Sequence, residues 1–306
     1  MRFFLILTLW FPALSNAGSF SGAVGTTGSD AISKDSALFI AWANGNLTPE
    51  YGTDVDATWK TPQKAYGKAA GGSYDIVCLG NGGRITMYFP RPIKNGQGAD
   101  FAVFENGISN TFLELAFVEV SSDGVNFFRF PNRSEGTAKV GAFGNVDPTT
   151  LNGLAGKHRA GYGTPFDLSA LPFSPLLDLE NIRFVRIVDI IGDGSVKDSE
   201  GYPIYDPTPT TGSGGFDLDA IGVIHQNVDQ FKVISSAVVA GNFQLSWESN
   251  PGSTYRIETS PILSSDSSTW TSSGVIVPSQ TTGVTTQSVA MTASSRQFWR
   301  VVWLDP

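Results

Sequence analysis

Ile182-Arg-Phe-Val-Arg-Ile-Val-Asp-Ile190, an acidic glycine-rich loop, and then Phe216-Asp-Leu-Asp-Ala-Ile-Gly-Val-Ile224 form the stretch on which the fold turns. In an extended chain alternate side chains share a face. Val185, Ile187 and Asp189 therefore make one row. Phe216, Leu218 and Ala220 make another, with Asp217, Asp219 and Ile221 on the opposite face. Both runs read as strands with one face buried in a sandwich, and both carry carboxylates at their ends. Asp193, Asp198 and Asp206 follow in the loop between them. Glu105 repeats the pattern upstream, sharing a row with Phe101 and Val103.

A carboxylate on a core-facing row costs several kcal/mol unless it is paired or bound to a metal. Ca²⁺ takes six to eight oxygens from carboxylates, carbonyls and water. Glu105, Asp189, Asp193, Asp217 and Asp219 are accordingly candidate ligands of a structural calcium ion. The alternative is that Asp189, Asp217 and Asp219 cap turns and pair with Arg84, Arg183 or Arg186. Asp189-Ile-Ile-Gly-Asp193-Gly lacks EF-hand spacing.

Outward from this stretch the signals are those of an all-β protein. Only 16% of the 306 residues are charged, and 34 Gly and 17 Pro punctuate short Val-, Phe- and Thr-rich runs, which suits strands and turns. Strands are expected at Ile76–Leu79, Arg84–Phe89, Asp100–Asn106, Leu113–Val120 and Val125–Phe130. Asp123-Gly124 supplies a hairpin turn between the last two. A short helix fits Ser33–Trp42. Residues 131–171 read as a long glycine-rich loop. From about Phe231 the chain turns Ser/Thr-rich, with short runs such as Phe243–Trp247 and Gln297–Trp303 that fit a second sandwich of about seven strands. The expected organisation is a signal segment at 1–17, a first β-domain at 18–228 and a smaller one at 229–306.

Arg2, the apolar run Phe3–Leu14 and Ser15-Asn-Ala17 match a cleavable export signal. The apolar run is shorter than the roughly 20 residues a spanning helix needs. Secretion or display at the cell surface follows as the expected location, without membrane insertion. A net charge of −8 gives no electrostatic case for nucleic acid. Cys78, the single cysteine, sits within Ile76-Val-Cys-Leu79 and reads as a small buried hydrophobe.

Catalytic signatures are sparse. There is no G-x-S-x-G elbow, and the two histidines lack zinc-ligand spacing. Acidic residues that could serve a glycosidase (Glu105, Glu119, Asp189, Asp217) are too numerous to single out a pair. Loop aromatics Trp42, Trp59, Tyr162 and Tyr202 could stack on sugars, beside Lys157, His158 and Arg159 of the glycine-rich loop. Ordinary packing is the competing reading for each.

Val77–Phe89, Val118–Phe127, Ile182–Ile187 and Phe216–Ile221 together resemble successive strands of the galactose-binding-like jelly roll of discoidin-type and carbohydrate-binding modules. Asp100-Phe-Ala-Val-Phe-Glu-Asn106, Asp147–His158 and Pro203-Ile-Tyr-Asp-Pro207 resemble bacterial cell-surface proteins of the PEP-CTERM-associated type. Leu245-Ser-Trp247, Pro251–Tyr255 and Phe298–Val302 are similar to fibronectin-like, Ig-type C-terminal modules. The resemblance implies an exported, non-catalytic module that binds glycan or cell-surface polysaccharide and holds a structural calcium. A polysaccharide hydrolase and a structural adhesion protein are the alternatives.

Overall fold

The computed structural model describes residues 18–72, 74–227, 232–249, 254–264, 267–278, 284–291 and 296–304; the export signal read at 1–17 lies outside them. The all-β class read from the sequence holds. The chain divides into two compact units, one of residues 1–89 and 93–226, the other of residues 90–92 and 227–306. Among the described residues no helix is long and apolar enough to cross a membrane.

The first unit contains, in chain order, β1 (Ile32–Ser33), β2 (Ala41–Trp42), β3 (Val77–Cys78), β4 (Arg84–Ile93), β5 (Phe101–Glu105), β6 (Ala116–Ser121), β7 (Phe128–Arg129), β8 (Arg133–Ser134), β9 (Leu151–Asn152), β10 (Tyr162–Phe166), β11 (Ile182–Asp189), β12 (Asp193–Lys197), β13 (Pro203–Tyr205) and β14 (Asp217–Val223). One sheet runs β1-β10-β5-β14-β2 with β3 also on β14, and a second runs β4-β11-β6-β7. Alternation puts Val103, Leu218 and Ile221 of the first sheet against Ile85, Met87, Val118, Val185 and Ile187 of the second, in one buried cluster. Each sheet also has a covered outer face. Leu115, Phe117 and Leu151 lie in a cluster joined by Val188, while Ala102, Phe104 and Ala220 are packed by Phe39 and Trp42.

The structure corrects several local expectations. Residues 33–42 form two short strands and turns in place of a helix, because β1 pairs with β10 and β2 with β14. The run 125–130 shortens to β7, since Asp123 caps a turn by accepting from the N–H groups of Val125 and Asn126, both at 2.8 Å. The glycine-rich loop contains β10, in which Gly163 and Phe166, on opposite faces, are both buried, so its lack of periodicity concealed a strand.

The strict alternation expected through Phe216–Ile224 also breaks. The register of β14 against β5 shifts between Leu218 and Ala220, placing Leu218, Ile221 and Val223 on the core side and Ala220 outside. A bulge of this kind inserts one residue and reverses the parity beyond it.

The second unit carries β15 (Val233–Val239), β16 (Asn242–Glu248), β17 (Thr254–Ser260), β18 (Thr271–Pro278), β19 (Val284–Ala290) and β20 (Phe298–Leu304). Among the described residues these strands form sheets β15-β16-β19 and β18-β17-β20. Leu245, Trp247, Tyr255, Ile257 and Val289 make its own core.

Candidate binding cleft

β5 and β14 run antiparallel with Leu218 opposite Glu105, which brings the end of one strand beside the start of the other. Asn106 Nδ2 donates to Asp217 Oδ2 at 3.0 Å. The Gly107 N–H donates to Glu105 Oε2 at 2.7 Å; a Cβ at Gly107 would stand 2.9 Å from that oxygen, so glycine permits the close turn. Glu105 Oε1 and Asp217 Oδ1 are buried with no hydrogen-bond partner.

Above these carboxylates lies a cleft of about 470 Å³ lined by Asn106, Glu114 and Asp217, by Thr210, Thr211 and Ser213, and by aromatic walls. Trp59 and Tyr74 stack with centroids 6.3 Å apart and planes at 18°. Phe112 and Phe143 stack at 6.4 Å and 27°. Tyr74 and Phe143 are 75% and 87% exposed, so the rings face solvent instead of the core. Local bonds hold both pairs. The Ser109 hydroxyl accepts from the Phe112 N–H at 2.9 Å, and Thr111 Oγ1 donates to Asn145 Oδ1 at 2.7 Å, tying the Phe112 turn to the loop that carries Phe143. A 3-10 turn, Ala57–Trp59, sets Trp59.

The electrostatics are one-sided. Among the described residues no Lys, Arg or His lines the cleft. Burial pushes Asp217 up to about 6, although the Cys78 thiol and then the Asn106 amide work the other way. Burial pushes Glu114 up to about 10, with repulsion from Glu105, Asp217, Asp206 and Asp189 adding to it. Glu105 is raised well above the usual carboxylate range by burial and then by Asp217. Behind the cleft, Asp189 accepts from the N–H groups of Gly82 (2.7 Å) and Phe216 (2.6 Å), and Asp206 from that of Leu115 (2.9 Å). The first of these rises to about 6 and the second well above its usual value, both through burial.

The five expected calcium ligands divide among several places. Asp217 lines the cleft, Glu105 is buried at the end of β5 outside its lining, and Asp189 is held by the Gly82 and Phe216 N–H groups. Asp193 accepts from the Ser195 N–H on a hairpin, at 2.8 Å. Asp219 accepts from the N–H groups of Ala70 and Gly71 at 2.9 and 2.8 Å, because the bulge in β14 turns it away from Asp217. Among the described residues no three His, Cys, Asp or Glu side chains converge as a metal cage. Arg84 pairs with Glu50 and Arg186 with Glu119, at 2.7 and 3.5 Å.

Of the expected ligand-binding residues, the cleft holds Trp59. Trp42 packs on Phe39 and Phe104, centroids 4.9 and 5.4 Å away. Lys157 is buried and donates to Ser21 Oγ at 2.6 Å; His158 Nε2 is 2.8 Å from Asp30 Oδ1. Arg159 covers Tyr162, and Arg133 covers Tyr202, at 4.8 and 3.9 Å from the ring centres. Sequence reasoning passed over Tyr74, Phe112, Phe143 and Glu114. Phe143 had a signal, a large apolar ring inside Gly141-Ala-Phe-Gly144 where no strand could bury it.

Comparison with protein-family models and with curated protein sequences returns no match.

Proposed function

We propose that this chain is an exported, non-catalytic module that binds a glycan or cell-surface polysaccharide in the cleft between Trp59–Tyr74 and Phe112–Phe143. The two stacked aromatic pairs carry this reading: Tyr74 and Phe143, exposed over half-buried Trp59 and Phe112, offer flat apolar faces that suit sugar rings, and Asn106, Asp217 and Thr210 supply groups for hydroxyls. The residues expected to serve export, Met1–Ala17, agree with an extracellular ligand. A glycan array on the mature protein tests it, followed by titration of the best binder against Trp59→Ala and Phe143→Ala. Each variant is expected to weaken binding at least tenfold with unchanged melting temperature. Equal affinity in both would overturn the site.

One observation favours a second reading. Glu114 and Asp217 share the cleft with pKa values driven apart, to about 10 and about 6, as an acid and a base for glycoside cleavage would be. Release of reducing ends from a bound oligosaccharide, abolished in Glu114→Gln, would replace binding with hydrolysis as the function.

A further inference from the structure

We propose that the cleft selects a positively charged glycan, an amino-sugar chain whose free ammonium group meets Asp217, over the neutral N-acetylated form of the same chain. This rests on the glycan reading and names its ligand class. Asp217 Oδ1 is the deciding atom. Its residue is only 6% exposed yet lines the cleft, and this oxygen has no donor. The other oxygen is occupied by Asn106 Nδ2. The Cys78 thiol, on the residue paired with Asp217 across the sheet, has its single proton on Gly214 O at 3.0 Å and stands against the Asp217 carboxylate as a neutral neighbour.

Buried carboxylate oxygens are ordinarily satisfied by donors or by an opposite charge. The groups facing Asp217 are Glu105, Glu114, Asn106 and Cys78, all acidic or neutral. An arriving ammonium brings three N–H donors and the missing positive charge. It also enters a cleft walled by four aromatic rings, whose faces attract cations, and lined among the described residues by no Lys, Arg or His that would repel it. An acetamido group offers a single N–H and no charge, so the carboxylate would stay uncompensated.

The test compares a glucosamine oligomer with its N-acetylated counterpart of equal length, by calorimetry on the mature protein at pH 6.5 in EDTA. The amine form is expected to bind at least tenfold tighter, and the preference to shrink in 0.5 M salt. Asp217→Asn should erase the preference and Trp59→Ala should weaken both ligands. Three results overturn the proposal: equal affinity for the two forms, preference for the acetylated one, or binding that appears only when Ca²⁺ replaces EDTA, since the carboxylates would then serve a metal. If neither oligomer binds while other array glycans do, the charge preference fails and the glycan reading stands. If no glycan binds at all, both fail.

Discussion

At Asp217 the sheet holds a carboxylate at 6% exposure with one oxygen lacking a donor, and that arrangement has a thermodynamic signature. Burial raises its pKa from 3.8 to about 6, so the folded protein holds this proton more tightly than the unfolded chain does. Its contribution to stability is therefore fully present below the unfolded value and is lost as pH rises through about 6. Asp189, Asp206, Glu105 and Glu114 shift the same way. Asp30 is the opposite case: burial works against it, but bonds from His158 and Ser21 with the Lys157 charge hold it at about 2, so its contribution is lost only in acid. The melting temperature is accordingly expected to fall between pH 5 and pH 8. Asp217→Asn keeps an oxygen for Asn106 and removes the charge. It should stabilise the protein at pH 8 by roughly 3 kcal/mol and at pH 5 by only about half as much. Denaturant titrations at the two pH values check this, and a destabilised variant at pH 8 would contradict it. A residue whose neutral replacement stabilises the fold yet removes ligand preference is held for function.

Among the elements, what was legible followed the range of the interaction. Arg84–Phe89, the first part of β4, and Ile182–Asp189 were readable because their alternation is local and one face meets the core. β14 was readable as a strand, but its bulge is fixed by pairing with Phe101–Glu105, more than a hundred residues away, and that bulge decides that Asp217 and Asp219 part company. Tyr162–Phe166 carried no alternation because Gly163 and Phe166, on opposite faces of the strand, are both buried. The cleft walls were illegible for the same reason: Trp59 meets Tyr74, and Phe112 meets Phe143, through loops whose approach no spacing announces. The segment from Gly18 to Lys34 is held by equally distant partners. The Phe20 N–H donates to Thr149 O at 3.0 Å and the Lys34 N–H to Gly161 O at 3.0 Å, while Lys157 and His158 reach Ser21 and Asp30. Asp30→Ala would strand buried Lys157, whose ammonium is 3.8 Å from Asp30. The expected loss is roughly 2–4 kcal/mol, discounted from a fully buried pair because Asp30 is 37% exposed. Asp35→Ala, which breaks only surface pairs with Lys68 and Lys34, should leave the urea midpoint almost unchanged. Equal midpoints for the two variants would show that the Asp30 network does not anchor this segment.

For the molecule as a whole, the two units have separate cores, and every residue lining the cleft lies between Trp59 and Asp217, within the first. Trp247 is fully buried in the second unit, edge-on to Tyr255 with centroids 5.6 Å apart. Replacing it with alanine removes the largest side chain of a small core, at a cost of about 3–5 kcal/mol. That is comparable with the total stability of a marginal domain. Trp247→Ala should therefore open the second unit to limited proteolysis beyond residue 227 while the first stays resistant. Glycan affinity measured on the same preparation should match the parent within twofold. A parallel loss of affinity would mean that the ligand needs both units, and the cleft would then be only part of the site.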